Sequence, residues 1–261
     1  MFGDDNFIGT SNVGYKRISE FCMEIEKRNL KIKFGIECRV SDVNLKSFRM
    51  LKDVGLSSVM LGIENGSQKT LERWNKNIKV EDSIEAIKIV KKLNIKLHSN
   101  YILLDMDSTL EDIKENYDFI ESCGLHRTDN PIHLFNNYLG IYPKTMIEEK
   151  LRTNGRLRRF KATHMPFEEL ECINEYESMY SYDIVDRSMA KFIYFNNFWI
   201  ETVEKKYKKL KSYDKINKII GSLYMQLFKM CIEYAEENKD YETGKRILYL
   251  KICDFFDKHL E

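Results

Sequence analysis

The feature that most constrains the fold is a hydrophobic period that keeps switching between helical and extended spacing over roughly the first 140 residues. Ser11 to Arg28 sets Ile18, Phe21, Cys22 and Ile25 on one helical face, and Ile32 to Val40 reads as a short strand. Ser41 and Asp42 can cap a helix carrying Leu45, Phe48, Leu51 and Val54, with Gly55 as its stop. Ser57 to Ile63 reads as a buried strand, about Val80 to Leu93 as a helix, and Lys96 to Leu104 as a strand. Thr109 to Cys123 aligns Leu110, Ile113, Tyr117 and Ile120 in a helix that Gly124 ends. Met1 to Phe2 reads as the end of an earlier strand, and Ile132 to Phe135 as a last short one. Strands and helices joined by short loops imply parallel strands with crossover helices. The strands are apolar without strict alternation, as doubly covered strands are. A barrel and an open doubly wound sheet both satisfy this pattern.

After about Gly155 the strand signals fade, and charged and aromatic residues recur at helical spacing from Glu168 onward. This remainder reads as a helical appendage. Its basic run, Lys205 to Lys211, reads as a solvated helix face because acidic residues follow nearby. Lys and Arg (42) nearly balance Asp and Glu (41), so bulk charge gives no reason to expect a nucleic-acid partner. No secretory signal is expected from the acidic start, and no stretch approaches the roughly 20 apolar residues of a membrane span. A cytoplasmic, soluble protein is the expectation. The six cysteines (Cys22, Cys38, Cys123, Cys172, Cys231 and Cys253) stand singly, without metal-ligand spacing, and read as reduced thiols.

In a parallel α/β architecture ligands sit beyond the carboxyl ends of the strands. Asp4, Asp5 and Asn6 follow the first strand signal, and Glu37 and Arg39 end the second. Glu64, Asn65, Gly66, Ser67 and Gln68 follow the third. Asn100, Asp105, Asp107 and Ser108 lie at the fourth, and Asn136, Asn137 and Tyr138 after the last. Together they outline one polar mouth. Carboxylates and amide oxygens there can hold an ammonium or ribose hydroxyls, and Arg can hold a carboxylate. Each also has a structural alternative: helix capping for Asp4, Asp5 and Ser67, an ion pair for Arg39, and a core or rim position for His98. Glu64 is favoured as functional because a carboxylate at the edge of a buried strand needs a partner.

Four ordered blocks carry a family likeness: FGDDNF (Phe2 to Phe7), MLGIENGSQKTLERWNK (Met60 to Lys76), NYILLDMDSTLEDIKEN (Asn100 to Asn116) and HLFNNYLGIYPKTMIEEKLRTNGRL (His133 to Leu157). They resemble radical S-adenosylmethionine enzymes of the kind with an N-terminal cobalamin-binding domain. The resemblance implies a partial (β/α) barrel over residues 1–157, its first strand missing, and an all-helical C-terminal region over 158–261. It implies S-adenosylmethionine as cofactor, lying across the strand ends. Asp4, Asp5 and Asn6 then match the segment near the methionine amino group, and Arg39 a position that can meet the carboxylate. Glu64 and Ser67 match the block near ribose and methionine, and Asn100 to Asp105 the strand near adenine.

The chain departs from the family at several points. Met106 stands where the family has Pro, and Asn65 where it has Ser. The CxxxCxxC motif that holds the four-iron four-sulfur cluster occurs nowhere in the sequence. The leading expectation is therefore the S-adenosylmethionine- and substrate-binding C-terminal part of a radical enzyme, inactive alone. It would be completed by a missing N-terminal portion or a partner subunit and would act on a small molecule or peptide. The alternative is a cluster-less module that binds S-adenosylmethionine or a partner without catalysis. A third reading is an α/β protein with an unrelated small-molecule site.

Overall fold

In the computed structural model of the chain, residues 2–4, 6–9, 11–128, 131–159, 180–182, 184, 186–208, 214–217 and 219–259 are described. Helix α1 (Ser11–Lys27) leads to strand β1 (Phe34–Arg39), helix α2 (Leu45–Asp53) and strand β2 (Leu56–Glu64). Helices α3 (Gln68–Arg73) and α4 (Val80–Lys92) then precede strand β3 (Lys96–Tyr101) and helix α5 (Leu110–Ser122). The three strands form one parallel sheet in the order β1-β2-β3. The expected parallel α/β architecture with crossover helices is present.

The sheet is two-faced. Ile36, Val59 and Leu97 share one row, and Cys38, Leu61 and Ser99 the next. All six are buried. The apolar faces of α1, α2, α4 and α5 belong to the same core, through Ile18, Phe48, Val90 and Ile120. On the opposite face the rows are Glu37, Met60 and His98, then Arg39, Gly62 and Asn100, none of them fully buried. A period of two sends alternate residues to opposite faces, so an apolar row and a polar row follow from the same six or seven residues.

The local signals worked where the expected residue could reach the backbone. Thr109 caps α5, accepting from the Asp112 amide, and Asp112 reciprocates by accepting from the Thr109 amide. Gly55 and Gly124 take the positive φ that ends a helix. At α2 the cap is Asn44, whose Oδ1 accepts from the Ser47 amide at 2.9 Å, while Val40–Asp42 forms a 3-10 turn. Ser41 and Asp42 therefore lie one turn too early to cap it. Met1 lies outside the described residues, and Phe2 and Phe7 donate their amides to Gly35 and Glu37 along the outer edge of β1.

Ile132 to Phe135 is not a strand. His133–Asn136 forms a one-turn helix, α6, after Pro131, whose carbonyl accepts from the Leu134 amide. Leu134 and Phe135 are adjacent and both fully buried. The strand role passes to the next residues: Leu104 bridges Tyr138 in parallel, flanked by bonds from Leu103 to Asn137 and from Leu139 to Leu104.

Helix α7 (Met146–Thr153) is followed by a short antiparallel pair, β4 (Leu157–Arg159) with β5 (Tyr180–Tyr182). A strand thus appears at residues 180–182, inside the stretch expected to be helical. Residues 160–179, Cys172 among them, lie outside the described residues. From Arg187 on the described elements are helices, as expected: α8 (Arg187–Tyr207), α9 (Asp214–Asn217), α10 (Ile220–Glu236) and α11 (Tyr241–His259). Lys209 to Lys211 of the basic run are outside the described residues.

These helices continue the core that backs the sheet. Trp199, Phe192 and Phe228 belong to the same buried cluster as Ile36 and Leu61. Phe135 meets Trp199 and Phe228 edge-on, with ring centroids 5.8 and 5.1 Å apart. Asn196, fully buried, donates to the Phe135 carbonyl at 2.7 Å and accepts from Trp199 Nε1. At Gly221 a Cβ would collide with the carbonyl oxygen of His126, so α10 approaches that turn backbone to backbone.

Candidate functional site

The polar face of the sheet ends at a hollow of about 280 Å³ lined by Arg39, Gly62, Glu64, Lys76 and neighbours from the β1–α2 and α3–α4 connections. It lies at the carboxyl ends of β1 and β2, where parallel sheets present their ligand sites.

Glu64 is placed there by an unusual backbone. The β2–β3 register slips by one residue between Gly62 and Glu64. The Asn65 amide closes a three-residue turn on the Ile63 carbonyl at 2.9 Å, with Glu64 at φ +69°. This is the rarer, strained kind of γ-turn, and a non-glycine residue with that φ costs on the order of 1–3 kcal/mol. Neighbouring bonds hold it in place. The Glu64 carbonyl accepts from Ile102, and buried Asn65 donates to Ile102 O at 2.7 Å and accepts from the Ser67 amide. Gly66 donates to Asn116 and lies so close to Phe119 that a Cβ would fall 2.6 Å from that residue's Cβ and 2.8 Å from its ring.

The sequence-selected residues separate into three groups. Arg39 and Glu64 line the hollow, and Asn100 lies in the same row as Arg39, with Gly62 between them. Arg39 and Asn100 are exposed, and neither has a side-chain partner among the described residues. Glu64 accepts from Lys76 Nζ at 3.0 Å through Oε1. Ser67 and Asp105 form a second group, buried behind the β2 turn. Ser67 caps α3 and donates to Asp112. Asp105, fully buried, takes Arg73 Nε and Nη2 at 2.8 and 3.0 Å and accepts from Ser108 and from the indole of Trp74. Both of its oxygens are thus engaged by the protein itself.

Asp4 and Asn6 make the third group, at the outer edge of β1. Asp4 pairs with Arg17 at 3.0 Å, and Asn6 donates to Asp42 and accepts from the Gly9 amide. Asp5 lies outside the described residues.

Lys76 was not singled out as a site residue. It lies twelve positions after Glu64, and only the turn that ends α3 brings it back. Glu37 also faces the open side, half-buried and without an ion pair among the described residues. Asp107, beyond β3, is held by Lys150 and Arg156, each at 2.7 Å. Partial burial pushes its carboxyl up, but the two hydrogen-bonded cations outweigh burial and leave it below the ordinary carboxylate range.

Comparison with known proteins gives a consistent answer. Residues 7–120 match the family model of the radical SAM superfamily. The 4′-phospho-dehydrooxetanocin synthase of Priestia megaterium is 30% identical over 166 residues, covering 56% of this chain and 22% of that protein. The anaerobic magnesium-protoporphyrin IX monomethyl ester cyclase of Rubrivivax gelatinosus is 33% identical over 104 residues, 39% of this chain and 19% of that protein. Among solved structures, the cobalamin-dependent S-adenosylmethionine radical enzyme OxsB, with aqua-cobalamin and S-adenosylmethionine bound, aligns with a TM-score of 0.59 at 20% identity. That alignment covers 98% of this chain and 42% of the other. The matches thus span about a fifth of these curated relatives and less than half of the solved one. Residues 7–120, just under half of the chain, are thus similar to the radical S-adenosylmethionine superfamily.

Proposed function

We propose that this chain is the S-adenosylmethionine- and substrate-binding part of a radical enzyme, with residues 1–157 forming the binding portion and 158–261 its helical support. One observation carries the reading: Arg39, without a side-chain partner among the described residues, and the Glu64 carboxylate line one hollow at the strand ends, Arg39 pairing in register with Gly62 two residues before Glu64. A guanidinium and a carboxylate side by side suit the carboxylate and ammonium of an amino acid. Arg39 would hold the methionine carboxylate and Glu64 the ammonium or a ribose hydroxyl. Asn100, across Gly62 and exposed, offers an amide to the nucleoside. Ser67 and Asp105 support that wall from behind by fixing the β2 turn and α3, while Asp4 and Asn6 border it at the edge of β1. When bound, S-adenosylmethionine supplies the sulfonium whose cleavage yields the family's radical.

The family's four-iron four-sulfur cluster does not fit the described residues. Cys22, Cys38, Cys123 and Cys231 are buried at separate places, and burial pushes all four thiols up, away from the thiolate that binds iron. Among the described residues no three His, Cys, Asp or Glu side chains form a metal-binding group. The same thiols favour a second reading, a cluster-less module that binds S-adenosylmethionine or a partner without catalysis. Among the described residues no helix is long and apolar enough to cross a membrane.

Calorimetric titration with S-adenosylmethionine tests the first reading. Binding should be present and weakened about tenfold or more by Arg39→Ala, which removes a charge-assisted hydrogen bond. An unchanged affinity in Arg39→Ala would refute the assigned site. Anaerobic loading with iron and sulfide separates the two readings: stoichiometric iron uptake by the chain alone would exclude the cluster-less one.

A further inference from the structure

The Glu64 carboxylate is asymmetric. Oε1 accepts from Lys76 Nζ at 3.0 Å and would lie only 3.3 Å from a Cβ at Gly62, so the head folds back across its own strand. Oε2 has no partner among the described residues. Lys76 is itself held by backbone. Its amide donates to Leu71 O at 2.9 Å, its carbonyl accepts from the Ile78 amide at 2.8 Å, and Asn75 before it takes φ +55°. Its side chain is 42% exposed, so solvent screening leaves the ion pair little to contribute to folding. The strained backbone at Glu64 is not offset by so weak a pair. Arg39, facing the same hollow, has no such partner among the described residues.

We propose that Lys76 is a positioning residue: it holds Oε1 of Glu64 over Gly62 and leaves Oε2 as the acceptor for the α-ammonium of an amino-acid-bearing ligand whose carboxylate meets Arg39. This rests on the reading of the hollow given above and adds the residue that sets its preference for a zwitterion. A carboxylate free to rotate would meet the ammonium at an entropic cost that the fixed one avoids. Gly62 is part of the device, because any side chain there would press on Oε1 from the strand side.

The test compares two ligands on the full chain by calorimetry: S-adenosylmethionine, and 5′-methylthioadenosine, which keeps the nucleoside and lacks the amino acid. Lys76→Met should weaken S-adenosylmethionine about five- to tenfold, leave methylthioadenosine unchanged, and leave the melting temperature nearly where it was. Lys76→Arg should restore most of the lost affinity. Equal loss for both ligands, or unchanged or tighter binding of S-adenosylmethionine in Lys76→Met, would overturn the inference while the reading of the hollow stands. If the unsubstituted chain binds S-adenosylmethionine not at all, that reading falls and the inference falls with it.

Discussion

Glu64 and Asp105 are both carboxylates near strand ends, and their surroundings divide them. Asp105 is sealed, with two bonds from Arg73 and one from Trp74. Removing its charge leaves Arg73 without its main counter-ion in a site that excludes water from the acid. Asp105→Asn should therefore lower stability by about 3 kcal/mol, read from the denaturant midpoint. Glu64 keeps one open oxygen and a strained backbone. Replacing it by Gly or by Ala removes the same ion pair, but only Gly relaxes the positive φ. Glu64→Gly should thus be more stable than Glu64→Ala by about 1 kcal/mol in thermal melts, and neither should bind ligand normally. Equal stabilities would argue against strain at this position. The sequence marked both acids as candidates because both follow apolar strands. It favoured Glu64 but gave no sign that Asp105 is sealed, because Arg73 and Trp74 lie more than thirty residues before Asp105 and nothing in their local pattern points to it.

Elements whose hydrophobic stripe and caps agreed were legible to within a residue or two: β2, α4 and α5 are where period and caps put them, while β3 ends at Tyr101, three residues before the expected Leu104. Ile132 to Phe135 was not, because a four-residue apolar run has too little length to show its period, and Pro131 decides the local turn. The antiparallel pair β4–β5 was missed for a related reason, since three-residue strands carry no pattern of their own. At this scale the loop from β3 to α5 offers two tests. Thr109→Ala removes the cap of α5 and should cost about 1 kcal/mol by chemical denaturation. Asp107 bridges that loop to α7 and the segment after it through Lys150 and Arg156. Its folded pKa lies below the unfolded value of about 4, so its contribution is complete above that value and is lost as pH falls through the folded one. Acid unfolding below about pH 4 should be less steep in Asp107→Asn than in the unsubstituted chain, as circular dichroism during acid titration would show.

Across the whole molecule, the sequence divides at about residue 157, yet buried contacts cross that line through Asn196, Trp199 and Gly221. That closeness is invisible in the sequence, because a glycine inside a helical pattern does not reveal which distant carbonyl it faces. The two tryptophans give a direct measure: Trp74 reports the sheet portion and Trp199 the helices. In Trp74→Phe and Trp199→Phe the remaining fluorescence should change at one urea midpoint, coincident with circular dichroism in each variant. Two separated transitions would mean that the portions unfold independently.

The stacking of Tyr117 on Phe228, with ring centroids 6.3 Å apart, has a consequence in time as well as in space. The partner ring is encoded about a hundred residues later, and ribosomes add roughly 5–20 residues per second. For about 5 to 20 seconds of synthesis, then, the outward side of α5 has no α10 to cover it. A chaperone that meets this nascent chain should find its apolar target on α5, and should lose it once Gly221 has come to rest against His126.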